Sequence, residues 1–296
     1  MILNAFTWYY VGYMVLGEIL DNLGIVYWKE VTVWIIHFLI VAASALLGGI
    51  VSNRVVQRAT LMVWWMVLGI ASSLLLLTLG GLTWIGSMLI STILAFSFGV
   101  GMPSCLAYFA DFTSVENRGR LGGCFFCATY LGISFFALIL PQFNLATKVL
   151  FSSLWRLFGL FVFLKTRTEL EVKYVGQAKE VSYSYIRILE QKPILLYLIP
   201  WAMFSIINNL EIPILENFFG SDLSRSMGVV ELACSSLFVL VGGFFADLVG
   251  RKRVTVAGFV ALGIAYAILG FFPDMLIFQW FYSIVGAVAW GMFTTV

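Results

Sequence analysis

Apolar residues run through this chain in stretches of about 20, each closed by a short polar or charged interruption. A helix of that length crosses the ~30 Å hydrocarbon layer of a bilayer. The runs are too long and too uniformly apolar for the alternating strands of a membrane barrel, the other architecture that satisfies backbone polar groups in lipid. The pattern predicts ten membrane-spanning helices, at 4–23, 31–51, 59–80, 83–110, 121–141, 147–164, 194–216, 226–246, 254–272 and 275–296. One long polar segment interrupts them, KTRTELEVKYVGQAKEVSYSYIRILEQKP at 165–193. It predicts an all-α polytopic protein with a six-helix bundle over 1–164, a cytoplasmic linker over 165–193 and four further helices over 194–296. Inside the linker Tyr183, Ile186 and Leu189 recur every third residue, which fits either a short helix lying on the inner leaflet or a solvated loop.

Composition supports the same solvent. Hydrophobic residues make up 61% of the chain and charged residues 11%, against roughly a quarter charged in a soluble domain. The opening MILNAFTWYYVGYM has neither the cationic start nor the small-residue cleavage site of a signal peptide. Cys105, Cys124, Cys127 and Cys234 all lie in apolar runs, so they describe no disulfide framework. Orientation follows from the cations, because short loops rich in Lys and Arg stay cytoplasmic. With Met1 inside, thirteen cations (Arg54, Arg58, Arg118, Arg120, Lys165, Arg167, Lys173, Lys179, Arg187, Lys192, Arg251, Lys252, Arg253) fall on the cytoplasmic side and three (Lys29, Lys148, Arg225) on the other. Arg156 is left within a span. The expectation is a plasma-membrane protein with both Met1 and Val296 cytoplasmic.

Two loops resemble each other. GFFADLVGRK at 243–252 follows the eighth predicted span, and GIVSNRVVQR at 49–58 follows the second. Gly49 aligns with Gly243, Asn53 with Asp247 and Arg58 with Lys252, an offset of about 194 residues that suits a duplicated six-helix unit. Glycines permit a tight turn at the membrane surface, cations sit among anionic headgroups, and an acid can face the positive end of a helix.

In these segments the chain resembles the major facilitator superfamily, whose Gly-x-x-x-Asp-x-x-Gly-Arg-Arg/Lys motif lies between helices 2 and 3 and is echoed between helices 8 and 9. The second copy is nearly complete here as Gly243, Asp247, Gly250, Arg251 and Lys252; in the first, with Gly49, Asn53, Arg54 and Arg58, an asparagine replaces the acid. GVGMPSCLAYFADFTSVENRGR, with Gly99, Gly101, Pro103, Tyr108, Asp111, Arg118 and Gly119, resembles the family's pattern at the end of helix 4. The resemblance implies that these loops gate the cytoplasmic side, that Asp111 pairs with Arg54 or Arg58, and that Asp247 docks at the start of helix 5 around Arg120, Leu121 and Gly122, where Gly122 and Gly123 leave room. It also implies twelve helices, so the ten predicted here read as a chain without the last two. Trp155-Arg156 matches a family pair at the start of helix 6; snorkelling or an ion pair is expected of the arginine.

Ionisable groups inside spans are functional candidates. Glu18 and Asp21 share a face of the first span, and His37 lies on the second at a similar outer depth; together they could form a proton-exchanging cluster, or else an outer gate or structural pair. Asn208, Asn209 and Glu211 precede Pro213 in the seventh span, which in this superfamily lines the central path with helices 1, 4 and 10. The function implied is secondary transport of a small solute or ion by alternating access, with proton coupling left open. A non-transporting sensor derived from a transporter is the alternative. Asp111 and Asp247 lack the settings of an intramembrane aspartyl protease, so an enzyme is not expected. No cofactor or metal motif is present, and the expected partners are the solute and the bilayer, without nucleic acid, for a monomer.

Overall fold

The computed structural model describes residues 1–54, 58–79, 83–174 and 219–294, with isolated positions between 191 and 215. Among these residues nine long helices follow one another: α1 (Ile2–Asn22), α2 (Tyr27–Arg54), α3 (Arg58–Leu79), α4 (Trp84–Asp111), α5 (Arg118–Ile139), α6 (Leu145–Tyr174), α7 (Ser221–Leu248), α8 (Arg251–Phe271) and α9 (Leu276–Thr294). The expected seventh span and the Tyr183, Ile186, Leu189 stripe lie outside the described residues. Eight of the nine, α2 to α9, are long and apolar enough to cross a membrane. The tenfold count is therefore not reproduced among the described residues. α1 differs because Asn4, Thr7, Glu18 and Asp21 dilute it. It need not match lipid around its whole circumference, since Trp8, Val11, Val15, Leu16, Ile19 and Leu20 are buried in the protein.

The packing is inverted relative to a soluble domain. Large apolar side chains face outward, among them Trp64 at 68% exposure and Phe161 at 66%, while Ser72, Ser73, Ser91, Ser97, Ser104, His37 and Arg156 are buried. An aqueous monomer rarely exposes so much apolar surface; lipid tails accept it. Polar groups turn instead toward other helices, where several find partners, such as Ser73 with Trp8 and His37 with Ser91.

Small residues decide how closely helices approach. A Cβ at Gly48 of α2 would collide with the Val100 carbonyl of α4, and one at Gly99 of α4 with the Ser44 hydroxyl and the Val41 carbonyl of α2. Gly101 receives the face of Trp65 from α3. α4 opens on Thr83, whose hydroxyl accepts from the Gly86 N–H at 3.1 Å, and it accommodates Pro103 within its length.

By contact the chain divides into two compact units, Met1–Arg118 with Leu131–Gly176, and Gly119–Tyr130 with Gln177–Val296. The first is cored by Val11, Val15, Ile19, Leu76, Ile90, Phe136, Leu140 and Val149. The second has Leu262, Ala289 and Phe293 at its centre, flanked by Phe259, Tyr266 and Trp290. The amino half of α5 thus belongs with α7, α8 and α9. α6 continues to Tyr174, beyond the expected span end at 164 and into the expected linker.

Candidate functional site

The second motif copy sits in the unit formed by the start of α5 with α7 to α9. Gly250 ends the turn after α7 with φ +98, a conformation open to glycine, and α8 begins at Arg251. One residue before the end of α7, Asp247 has its side chain only 2% exposed. Its Oδ1 accepts from the Gly119 N–H at 3.0 Å and its Oδ2 from the Arg120 N–H at 2.8 Å. Arg120 Nε lies 3.5 Å from Oδ2, and its guanidinium stands 5.6 Å from the Phe244 ring centre. These are the orphan N–H groups of a helix start, at the pole where the helix dipole favours negative charge. The aspartate is therefore placed at the expected end of α5.

Of the two expected glycines Gly123 serves, but its companion is Gly119 and not Gly122. Gly119 and Gly123, four apart and hence on one face of α5, abut α7. A Cβ at Gly119 would meet the Asp247 carboxylate and, at 2.7 Å, the Gly243 carbonyl; one at Gly123 would meet the Val239 carbonyl at 2.8 Å. From the other side a Cβ at Gly243 would strike the Gly119 carbonyl and come to 3.2 Å from Gly123 Cα. Gly122 lies one position off this stripe, about 100° around the helix from Gly123.

The first copy is built differently. Gly49 is buried near the end of α2, and α3 opens at Arg58; the side chains of Asn53 and Arg54 lie outside the described residues. Arg58 Nη1 pairs with Asp111 Oδ2 at the end of α4, with side-chain exposures of 34% and 55%. Arg118 does not join them. Its Nη2 donates to the Ala110 carbonyl at 2.8 Å and the Thr113 carbonyl at 3.1 Å, and its Nε to Thr113 Oγ1 at 3.1 Å. It caps the end of α4, where unpaired carbonyls attract cations. In the second copy Arg251 is half-buried and Lys252 exposed.

Among the intramembrane candidates, the structure separates Glu18 from His37. Glu18 Oε2 accepts from Lys148 Nζ at 2.5 Å. Lys148, counted from sequence as a cation of the outer side, is buried in α6 at 6% exposure. Asp21 is exposed in the last turn of α1. His37 is fully buried and lies ten positions into α2, about 15 Å from its start, so it is deeper than the outer depth read from sequence. Its Nδ1 faces the Ser91 carbonyl at 3.1 Å and Ser91 Oγ at 2.9 Å, and its Nε2 faces Tyr9 Oη at 2.6 Å. A carbonyl only accepts, so Nδ1 carries the proton and Nε2 accepts from the tyrosine. The Tyr9 ring stacks on Phe98 at 3.8 Å. Asn208, Asn209 and Glu211 lie outside the described residues.

Arg156 forms neither of the contacts expected. It does not snorkel, being fully buried, and it has no carboxylate partner among the described ion pairs. Asn4 and two tryptophans surround it instead.

No protein-family model and no curated protein matches this sequence. A solved structure does match the fold. The MFS (major facilitator superfamily) proton:xylose symporter XylE, bound to 6-bromo-6-deoxy-D-glucose, aligns with 99% of this chain over 79% of its own length, with TM-score 0.59 and 16% identity. The chain has the major facilitator fold. Among the described residues the Asp247 loop links α7 to α8, and the Arg58 loop links α2 to α3. The side chains the sequence reading missed in this fold are Tyr9, Ser91 and Lys148. Lys148 stood two positions inside its own predicted span, which was the signal to look for an acid; Tyr9 and Ser91 carried none, since tyrosine and serine are common in such helices.

Proposed function

We propose that this chain is a secondary transporter of a small solute, working by alternating access between the two helix bundles read from the sequence, 1–164 and 194–296. The observation that carries the proposal is the fold likeness over 99% of the chain to a proton-coupled symporter. The Asp247 cap adds a mechanism. A carboxylate bound to the first N–H groups of α5 is a contact that can be made in one state and broken in another, and its charge must then be rehydrated, which gives the two states separate minima. Gly243, Asp247, Gly250, Arg251 and Lys252, with Gly49, Asn53, Arg54, Arg58, Asp111 and Arg118, form the cytoplasmic gate in this reading.

The solute and any coupling proton pass Glu18 and His37 in the first unit, and Asn208, Asn209 and Glu211 in the 194–216 segment. The half-exposed Glu18, tied to a buried lysine, supports a carboxyl whose partner changes with its protonation. Both termini are placed in the cytoplasm of a plasma-membrane protein, supported by the thirteen-to-three cation bias.

The test is solute-dependent proton movement. The chain is reconstituted in liposomes that enclose a pH-sensitive dye, and pentoses, hexoses, organic cations and organic anions are added in turn. Proton entry with one class, abolished by Glu18→Gln, is expected; a folded chain that binds a solute yet moves neither it nor protons is the sensor of the alternative reading. Orientation is checked separately: a cysteine at Gly176 that reacts with an impermeant reagent from outside intact cells would reverse the topology.

A further inference from the structure

One charge inside the first unit is balanced by nothing described around it. Arg156 of α6 is fully buried. Its Nη1 donates to Asn4 Oδ1 at 3.0 Å, and the Trp8 and Trp65 rings lie 4.8 and 4.2 Å from its central carbon. Both tryptophans are themselves held, Trp8 Nε1 by Ser73 Oγ at 2.6 Å and Trp65 Nε1 by the Ser97 carbonyl at 2.7 Å. Nε and Nη2 have no hydrogen-bond partner. These two nitrogens are neighbours on one edge of the guanidinium, the edge that offers two parallel N–H bonds to a single acceptor.

The described carboxylates of this unit are engaged elsewhere. Glu18 holds Lys148 and Asp111 holds Arg58. Glu30 accepts from Trp34 Nε1 at 3.4 Å, while Asp21 and Glu116 are exposed. Glu169 and Glu171 lie about 20 Å farther along α6. A buried cation in a membrane protein that lacks both a counter-charge and its full set of acceptors is costly to keep.

A second polar group of α6 is also buried without a partner. Ser152, one turn earlier on the same face of α6, is fully buried and its hydroxyl has no partner. On α3, Gly69 packs closely on the arginine, since a Cβ there would come within 2.9 Å of Nε.

We propose that Arg156 anchors a binding site for a small monovalent anion inside the first unit, bound by Nε and Nη2 with the Ser152 hydroxyl as a further donor. The flanking tryptophans shield the ion from lipid and hold the guanidinium plane in place. Arg156, Ser152, Trp8 and Trp65 are all buried, so the proposal is for an ion of chloride size and not for a bulky organic anion. A water molecule could satisfy the hydrogen bonds but not the charge, and the test separates the two.

Thermal unfolding of the purified full chain in detergent is compared in sodium chloride and sodium gluconate at equal ionic strength. We expect Tm to rise with chloride along a saturating curve and to stay flat in gluconate, as for a ligand that binds only the folded state. Bromide in place of chloride should quench indole emission with saturation. Arg156→Gln should abolish both effects, and Arg156→Lys should weaken the chloride midpoint at least about tenfold, because a lysine lacks the paired N–H edge. If Arg156→Gln does not fold, Ser152→Ala, which keeps the charge, should still raise the chloride midpoint several-fold. Equal Tm in the two salts would mean that the edge holds water only and would overturn the proposal. So would a chloride effect that survives Arg156→Gln or, where that variant does not fold, one indifferent to Ser152→Ala.

Discussion

The two motif loops carry related residues and put them to different uses. In the second, an aspartate with 2% of its side chain exposed accepts two backbone N–H groups and lies beside an arginine. In the first, asparagine stands at the matching position, and the acid that meets Arg58 is Asp111, from the end of another helix, with both side chains substantially exposed. A charge satisfied by a helix start is fixed in direction and shielded from water. A surface pair trades its partner for solvent at little cost. The second loop is therefore the one whose contact can hold a conformational state.

Steric changes should separate the loops most. Gly119→Val drives a branched side chain into the Asp247 carboxylate and the Gly243 carbonyl, neither of which can retreat without losing the cap. A loss of about 3 kcal/mol or more is expected from overpacking plus the broken hydrogen bonds, seen as a large drop in Tm in detergent. Wild-type Tm in this variant would show that α5 and α7 are not held by the glycine stripe.

Removing the charge comes next. Asp247→Ala leaves two N–H groups without their acceptor, at a cost of about 1–3 kcal/mol, and Asp247→Asn should cost less because one acceptor oxygen remains. If both match wild type in thermal stability and in hydrogen exchange at Gly119 and Arg120, the cap does not stabilise the second unit. For Glu18→Gln, about 1–2 kcal/mol is expected, since the buried Lys148 loses its partner while the half-exposed site admits water. Lys148→Met should recover part of that loss in the double variant, which a double-mutant cycle measures.

The smallest effect belongs to the first loop. Asp111→Asn should change stability by only about 0–1 kcal/mol, and raising the salt concentration should shrink even that. A value for Asp111 as large as that for Asp247 would erase the distinction between the loops.

Legibility differed by the kind of interaction involved. Asp247 could be placed at the start of α5 because the motif carries the geometry, but the choice between Gly122 and Gly119 depended on helical phase, which a boundary error of a single residue rotates by about 100°. Lys148 was assigned to the outer side because loop counting treats a cation near a span end as solvated; burial beside Glu18 reverses that. His37 was legible as an unusual residue and not as the partner of Tyr9 and Ser91.

What the sequence determined alone is the solvent of folding, nearly all of the described helix positions and the turn at Gly250. Each is a sum of local terms along the chain, such as hydropathy over about 20 residues. Which polar groups meet, Glu18 with Lys148, His37 with Tyr9 and Ser91, Asp247 with the first N–H groups of α5, was decided only by the tertiary structure. A contact of about 3 Å requires two helices to agree in both depth and rotation, and hydropathy constrains depth to within a turn and rotation hardly at all.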